Sequence, residues 1–417
     1  MSKFVKLSSI ATLTVGFVGT MAKHYTESGV PLLRSLNIKP FKIVGNDMKY
    51  VSAEFSNSIS KSILHKGDVI IVRTGIPGTC CVVPAEYDGC NCSDVVIVHP
   101  NTSLVDPHYL AAFINVWGQR QVQNNKVGAI QQHFNVHSAE EMLIFLPDLD
   151  EQKRIAAVII ALNSKIENNN SVCFELESMA KTIYDYWFTQ FDFPDANGKP
   201  YRSSGGAMGW NEQLKRSIPS GWKVLSLGNI LDLLKDGTHN PPKRHSKGIP
   251  LLTGTMFGKT ILSSKGVTYI AESDYTSIHA NYAPQKSDFI MTKIGSVGSV
   301  NILQEDDIPL AIHCNSALIR FKKDIPVSYA FFMLKSTMFQ AFLKREISKT
   351  VQEFVSLDRL SGISICVPDD EILSQFANMS DSILNKMILC ETENRQLTKL
   401  RDWLLPMLMN GQATVGD

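Results

Sequence analysis

Two hydrophobic periods organise this chain. Beyond Pro147 and a capping Asp150, apolar or small residues fall at Ile155, Ile159, Leu162, Ile166, Cys173, Leu176, Ala180, Ile183 and Trp187, with Asn169 in the gap. The steps alternate four and three, which is heptad spacing and predicts a long helix with one continuous seam. Phe376, Ser380, Ile383, Met387, Cys390, Asn394, Leu397, Arg401, Leu404 and Leu408 repeat those steps further on, with a partly polar and weaker seam. As a helix, Ile155 to Trp187 makes a rod of roughly 50 Å. Neither rod buries its seam alone, so the two are expected to pack antiparallel, with Asn169 opposite Asn394 and Cys173 opposite Cys390.

Ahead of each rod the pattern is shorter. Runs rich in Val, Ile, Phe and Tyr, such as Asp68 to Thr74 and Val95 to His99, alternate with Gly, Pro and Asn and read as strands. A helical stretch follows (Pro107 to Gln123; Val327 to Ile347), then a Pro-bounded strand. The whole plan occurs twice, about 220 residues apart. Gly29-Val30-Pro31-Leu32-Leu33 returns as Gly248-Ile249-Pro250-Leu251-Leu252, and Lys66-Gly67-Asp68-Val69-Ile70 as Lys286-Ser287-Asp288-Phe289-Ile290. Gly75-Ile76-Pro77-Gly78 returns as Gly295-Ser296-Val297-Gly298, Gln132-His133-Phe134 as Gln352-Glu353-Phe354, and Ile144 to Pro147 as Ile365 to Pro368. The expected fold is α+β: two pseudo-repeated globular domains, 1–148 and 222–369, joined by long antiparallel coiled-coil helices, 149–190 and 370–411. A loop-rich connection, 191–221, links the first helix to the second domain.

Composition is ordinary and globular, with 44% hydrophobic and 19% charged residues in 417. No apolar run is long enough for a membrane span, and Ser8, Ser9, Thr12, Thr14 and Gly16 break up the one stretch, Lys3 to Met21, that resembles a signal peptide. The eight cysteines form no C-x-x-C pair, so buried reduced thiols in a cytoplasmic protein are expected. The overall charge of +1 is unevenly spread. Residues 1–148 carry 12 basic and 11 acidic side chains and 218–369 carry 17 and 13, whereas both helical segments are net acidic. Lys235, His239, Lys243, Arg244, His245 and Lys247 crowd around Pro241-Pro242, either a solvated loop or one that meets phosphates.

Two near-motifs fail on chemistry. Gly254 to Thr260 looks like a phosphate-binding loop, but three residues stand between its glycines where four are needed. Asn240-Pro241-Pro242-Lys243 approximates the amino-methyltransferase motif, whose aromatic fourth residue stacks on a flipped base; lysine has no such face. With no ligand set among the histidines either, a reader is expected rather than an enzyme, needing no cofactor of its own. Two similar domains at a fixed separation suit a long, regular, charged polymer, of which duplex DNA is the obvious one. Phosphate contacts position such a domain, and amide or guanidinium side chains on loops read bases. The candidates are Arg73, Thr74, Gly75 and Gly78, with Gln131, Gln132 and His133, in the first domain. In the second they are Lys243, Arg244, Lys247, Lys293, Gly295, Ser296, Gly298 and Gln352. Taken singly, each Gly pair is equally a tight strand turn and each glutamine a solvated helix end.

These residues, with Trp187-Phe188, Phe193-Pro194, Gly198-Lys199-Pro200-Tyr201, Ile218-Pro219-Ser220-Gly221-Trp222 and Leu404-Leu405-Pro406-x-Leu408-Met409-Asn410-Gly411, resemble the specificity subunit of Type I restriction-modification systems across essentially the whole length. The resemblance implies two target-recognition domains, each reading half of a bipartite site in double-stranded DNA, and helices acting as a ruler. It implies docking of two methyltransferase subunits, which carry S-adenosylmethionine and methylate adenine, and of two restriction/translocase subunits in the full phage-defence complex. The Pro-x-Gly-Trp lead-in before the second domain is missing before the first, so a slightly trimmed first domain is expected. The competing readings are an N6-adenine methyltransferase using Asn240 to Lys243 and a coiled-coil scaffold without sequence preference.

Overall fold

A computed structural model describes residues 3–118, 121, 134–240, 242–348 and 352–415. The chain forms two compact units, Met1–Glu167 with Leu397–Asp417, and Asn168–Gln396.

The first unit is built on a four-stranded antiparallel sheet in the order Ala11–Val15, Val95–Pro100, Val69–Val72, Cys80–Val82. Its middle strands are apolar without alternation because both faces are covered. Val69, Ile71, Val96 and Val98 enter one core, while Ile70, Val72, Val95 and Ile97 enter another. The first core also takes Ile155, Ile159, Leu405 and Leu408. The second unit repeats the order with Leu231–Asp236, Ser316–Phe321, Phe289–Thr292 and Val300–Ile302. Here too Phe289 and Met291 face one core and Ile290 the other. In both units a two-stranded ribbon closes the domain, Lys3–Lys6 with Leu143–Leu146 and Lys223–Ser226 with Ser364–Val367.

Polar anchors recur as well. Tyr109 donates its hydroxyl to the Phe145 carbonyl at 2.7 Å, and Tyr329 donates to that of Cys366 at 3.4 Å. The buried Asp68 pairs with His99 at 2.7 Å. At the matching place Asp288 holds Arg320 in a two-point grip, 2.7 Å on each side. One expected helix is in fact two: Val327–Lys335 and Thr337–Glu346 break at Ser336, whose hydroxyl caps the second by accepting from the Phe339 amide at 3.1 Å.

The long helices run Leu149–Tyr184 and Asp370–Met409. Within the second unit their segments pack antiparallel in the expected register. Asn169, 3% exposed, donates to Asn394 at 3.0 Å and to Glu393 at 2.8 Å. Cys173 lies against Met387, and burial, with the nearby Glu391 carboxylate and Cys390, pushes its thiol up to about 12. The polar seam members are satisfied by tertiary partners. Ser380 donates to Ser328 at 2.7 Å in the second unit, and in the first Arg401 bonds Asn163 at 2.9 Å and lies over the Phe41 ring. The cysteines are free, all but Cys314 buried. Among the described residues no helix is long and apolar enough to cross a membrane.

Candidate nucleic-acid interface

In each unit the described residues among those predicted from sequence gather at one end of the central sheet. In the first, strand Val69–Val72 runs into Arg73, Thr74 and the turn Gly75-Ile76-Pro77-Gly78, where Gly75 and Gly78 have φ of 85° and 88°. In the second, Phe289–Thr292 runs into Lys293 and a turn whose Gly295 and Gly298 have φ of 81° and 96°. Left-handed backbone of this kind explains the glycines, and at Gly298 a Cβ would also meet the Gln340 amide at 2.5 Å. Both are thus tight strand turns; Gly75, Gly295 and Ser296 remain exposed on them.

The two basic residues are engaged within their own units. Arg73 Nε donates to the Phe134 carbonyl at 3.1 Å, and Nη1 lies 3.5 Å from Asp94, which also accepts from the Thr74 hydroxyl. Lys293, 8% exposed, is 2.8 Å from Asp236. Burial works against the Asp236 carboxylate, but the hydrogen bond from Lys293 and the nearby charges of Lys293 and His239 hold its carboxyl below the ordinary range. Expected as phosphate contacts, Arg73 and Lys293 therefore have their charges compensated internally. Their acids come from non-equivalent places, Asp94 before one strand and Asp236 at the end of another.

The exposed charge of the second unit is the loop carrying Lys243, Arg244, His245 and Lys247. Its root is fixed to the same end: Thr238 donates its amide to the Ile312 carbonyl at 3.0 Å and accepts from the Cys314 amide at 3.1 Å, while Lys293 donates its amide to Asn315 at 2.8 Å. Only glycine fits at 237, because a Cβ there would lie 1.8 Å from the Ile312 carbonyl oxygen. The matching Gly16 is crowded by Cys92. Burial and the positive charges of Arg244 and His239, opposed by a hydrogen bond with Asn315, hold His313 below its ordinary range. His313 and Asn315 were not singled out from sequence; nothing distinguishes them locally until the fold brings them beside Lys293.

Gln131, Gln132 and His133 lie outside the described residues. The register of their neighbours corrects the repeat by one position: the amide of Phe134 donates to Arg73 at 3.2 Å and that of Val355 to Lys293 at 2.9 Å, so Phe134 matches Val355 and not Phe354. Gln352 is exposed near the Lys293 turn, where Gly295 donates to the Glu353 carbonyl at 3.0 Å.

Residues 219–399 match the family model for the Type I restriction modification DNA specificity domain. The chain is 22% identical over 87% of its length to the Type I restriction enzyme HindI specificity subunit of Haemophilus influenzae, of which the match spans 91%. It is 24% identical over 67% of its length to the MjaIX specificity subunit of Methanocaldococcus jannaschii, spanning 62% of that protein. Its fold is similar to that of a Type I restriction-modification S subunit from M. genitalium, with a TM-score of 0.59, 16% identity, and coverage of 98% of this chain and 96% of that one. With a specificity domain matched over the second repeat and similarity to specificity subunits along most of its length, the chain is similar to Type I restriction-modification specificity subunits.

Proposed function

We propose that this protein is the non-catalytic DNA-reading subunit of a cytoplasmic Type I complex, each globular domain reading one half of a bipartite site in double-stranded DNA. The observation that carries this reading is the duplicated end-of-sheet constellation. In each unit a compensated basic residue and a Gly-turn form a rigid floor from which exposed loops project. In the second unit Lys243, Arg244 and Lys247 supply phosphate contacts, with His313, Asn315 and Gln352 at base edges.

The paired helices set the spacing between half-sites and dock two methyltransferase subunits, which bring S-adenosylmethionine; two restriction subunits complete the assembly. Docking draws support from apolar side chains left exposed on the helices: Phe174 and Leu389, each 60% exposed, in the second unit, and Leu400 and Trp403 in the first. The test is sequencing of methylated adenines in DNA exposed to the chain with its methyltransferase partner. Two short defined sequences separated by a fixed unread gap are expected. A single contiguous motif refutes the reading, methylation without sequence preference favours a scaffold, and S-adenosylmethionine bound by the isolated chain in calorimetry favours the enzyme.

A further inference from the structure

The second unit carries polar attachments between its globular domain and the long helices, beside their shared apolar core. Near its root, the long helix Asp370–Met409 is held by aromatic packing: Phe376 meets Trp187 at 5.7 Å and Phe188 at 4.9 Å between ring centroids. Fifteen or more residues further along, roughly 25 Å at helical rise, the same helix is fastened again by charge. The Glu391 carboxylate accepts from the Thr260 amide and the Ile261 amide, each at 3.1 Å. One turn on, Arg395 Nη1 lies 3.0 Å from Asp307, with side chains only 16% and 8% exposed. The other long helix is fastened at the same loop: Lys335 pairs with Glu177 at 2.6 Å and donates to the Lys259 carbonyl at 2.9 Å.

The loop so gripped is Gly258 to Ile261, part of the segment that imitates a phosphate-binding loop, and its free amides hold the protein's own carboxylate. It is also tied to the sheet: Gly258 donates to the Asn301 side chain at 3.0 Å, and the Ile302 amide donates to the Thr260 carbonyl at 2.9 Å. The apolar core that joins domain and helix continues through Ile383, Met387 and Cys390, and apolar packing is non-directional, so by itself it leaves a domain free to tilt. A second attachment a long lever arm away removes that freedom, and buried charge pairs, poor sources of stability, are suited to fixing one arrangement among several.

We propose that Glu391, Arg395 and Lys335 are positioning residues that fix the tilt of the second globular domain on its helices and thereby confine recognition to one spacing between DNA half-sites. This rests on the bipartite reading above. The three residues touch neither DNA nor the reacting atoms; they act through the angle at which the reading loops are presented.

The test uses the full chain with its methyltransferase partner and a plasmid library in which both half-sites are kept and the gap between them varies. The wild-type complex is expected to methylate one gap length. Glu391→Ala should raise relative methylation at gaps one base pair longer or shorter by roughly tenfold or more, the scale of a typical coupling between sites, with half-site sequences unchanged. A folded Glu391→Ala complex that keeps the wild-type gap profile overturns the proposal. Should that variant not fold, Lys335→Met, which lies nearer the rim and leaves the Glu391 contacts in place, decides on the same readout: a broadened profile supports the proposal and an unchanged one overturns it. A wild-type complex with no bipartite motif would instead refute the underlying reading.

Discussion

Replacing Arg320 by Met tests whether the two globular domains are held by equivalent but chemically different pins. Asp288 is 2% exposed; it accepts from Arg320 at both oxygens and from the Gln285 amide at 2.7 Å. Removing the guanidinium leaves a carboxylate in the interior with one amide for company. Breaking a buried pair in this way costs about 3–5 kcal/mol. The side chain of Arg320 is 26% exposed, so water relieves part of the cost, and the lower end, ~3 kcal/mol, is expected. At ~2–4 °C per kcal/mol for a domain of this size, the melting of the second unit should fall by roughly 6–12 °C. Hydrogen exchange read by mass spectrometry localises the change: amides of strands Phe289–Thr292 and Ser316–Phe321 should lose protection, while Val69–Val72 and Val95–Pro100 keep theirs. The double variant Asp288→Leu with Arg320→Met should recover most of the loss, because a well-packed apolar pair is no worse than a buried ionic one. Unchanged protection in Arg320→Met would refute the reasoning.

At the matching pin of the first unit the partner titrates. The hydrogen bond from His99 to Asp68, opposed by burial, raises the imidazole above its ordinary value. Its stabilisation is therefore complete below the unfolded value of about 6.5 and is lost as pH rises through the higher folded value. Denaturation midpoints of the first unit should fall from pH 6 to pH 8 in the wild type and change less in His99→Gln; parallel profiles would remove the pin from the account. Changing Lys243, Arg244 and Lys247 together to Ala should flatten the dependence of DNA affinity on salt by roughly two to three ions, at about 0.9 per phosphate contact. Arg73→Ala and Lys293→Ala should leave that slope intact while lowering melting temperature, and the reverse pattern would restore them to the phosphate contacts. Trp403→Glu should weaken assembly with the methyltransferase partner by about tenfold or more, as loss of a central aromatic anchor does, without changing the melt of the free chain; unaltered assembly in analytical ultracentrifugation removes this face from the docking surface.

What the sequence disclosed was whatever depends on a period or on a single indispensable residue. Within the second unit the heptad steps gave the local register that sets Asn169 beside Asn394, because side chains on a seam meet according to spacing. The Gly pairs were legible as turns because positive φ leaves little choice of residue. Arg401 looked like a flaw in the second seam, since its relief, the ring of Phe41 and the amide of Asn163, comes from remote parts of the chain. The slip that matched Phe134 with Phe354 has the same origin: the register is set by backbone amides donating to Arg73 and Lys293, to which side-chain identity is a poor guide.

Arg73 and Lys293 show most clearly what a sequence does not disclose, the partners that the fold brings to a charge. Each is a basic residue beside a glycine turn, and composition alone offers it to phosphate. The fold instead supplies each with a carboxylate, from Asp94 in one unit and Asp236 in the other, positions that do not correspond under the repeat. What the two copies preserve is thus the compensated charge and not the residue that compensates it. A buried positive charge at a strand end destabilises the turn unless it is paired, so any nearby backbone position from which an acid reaches serves. Loops such as Lys243 to Lys247, exposed to solvent, carry no comparable demand from folding. That division lets the floor stay constant while the loops change.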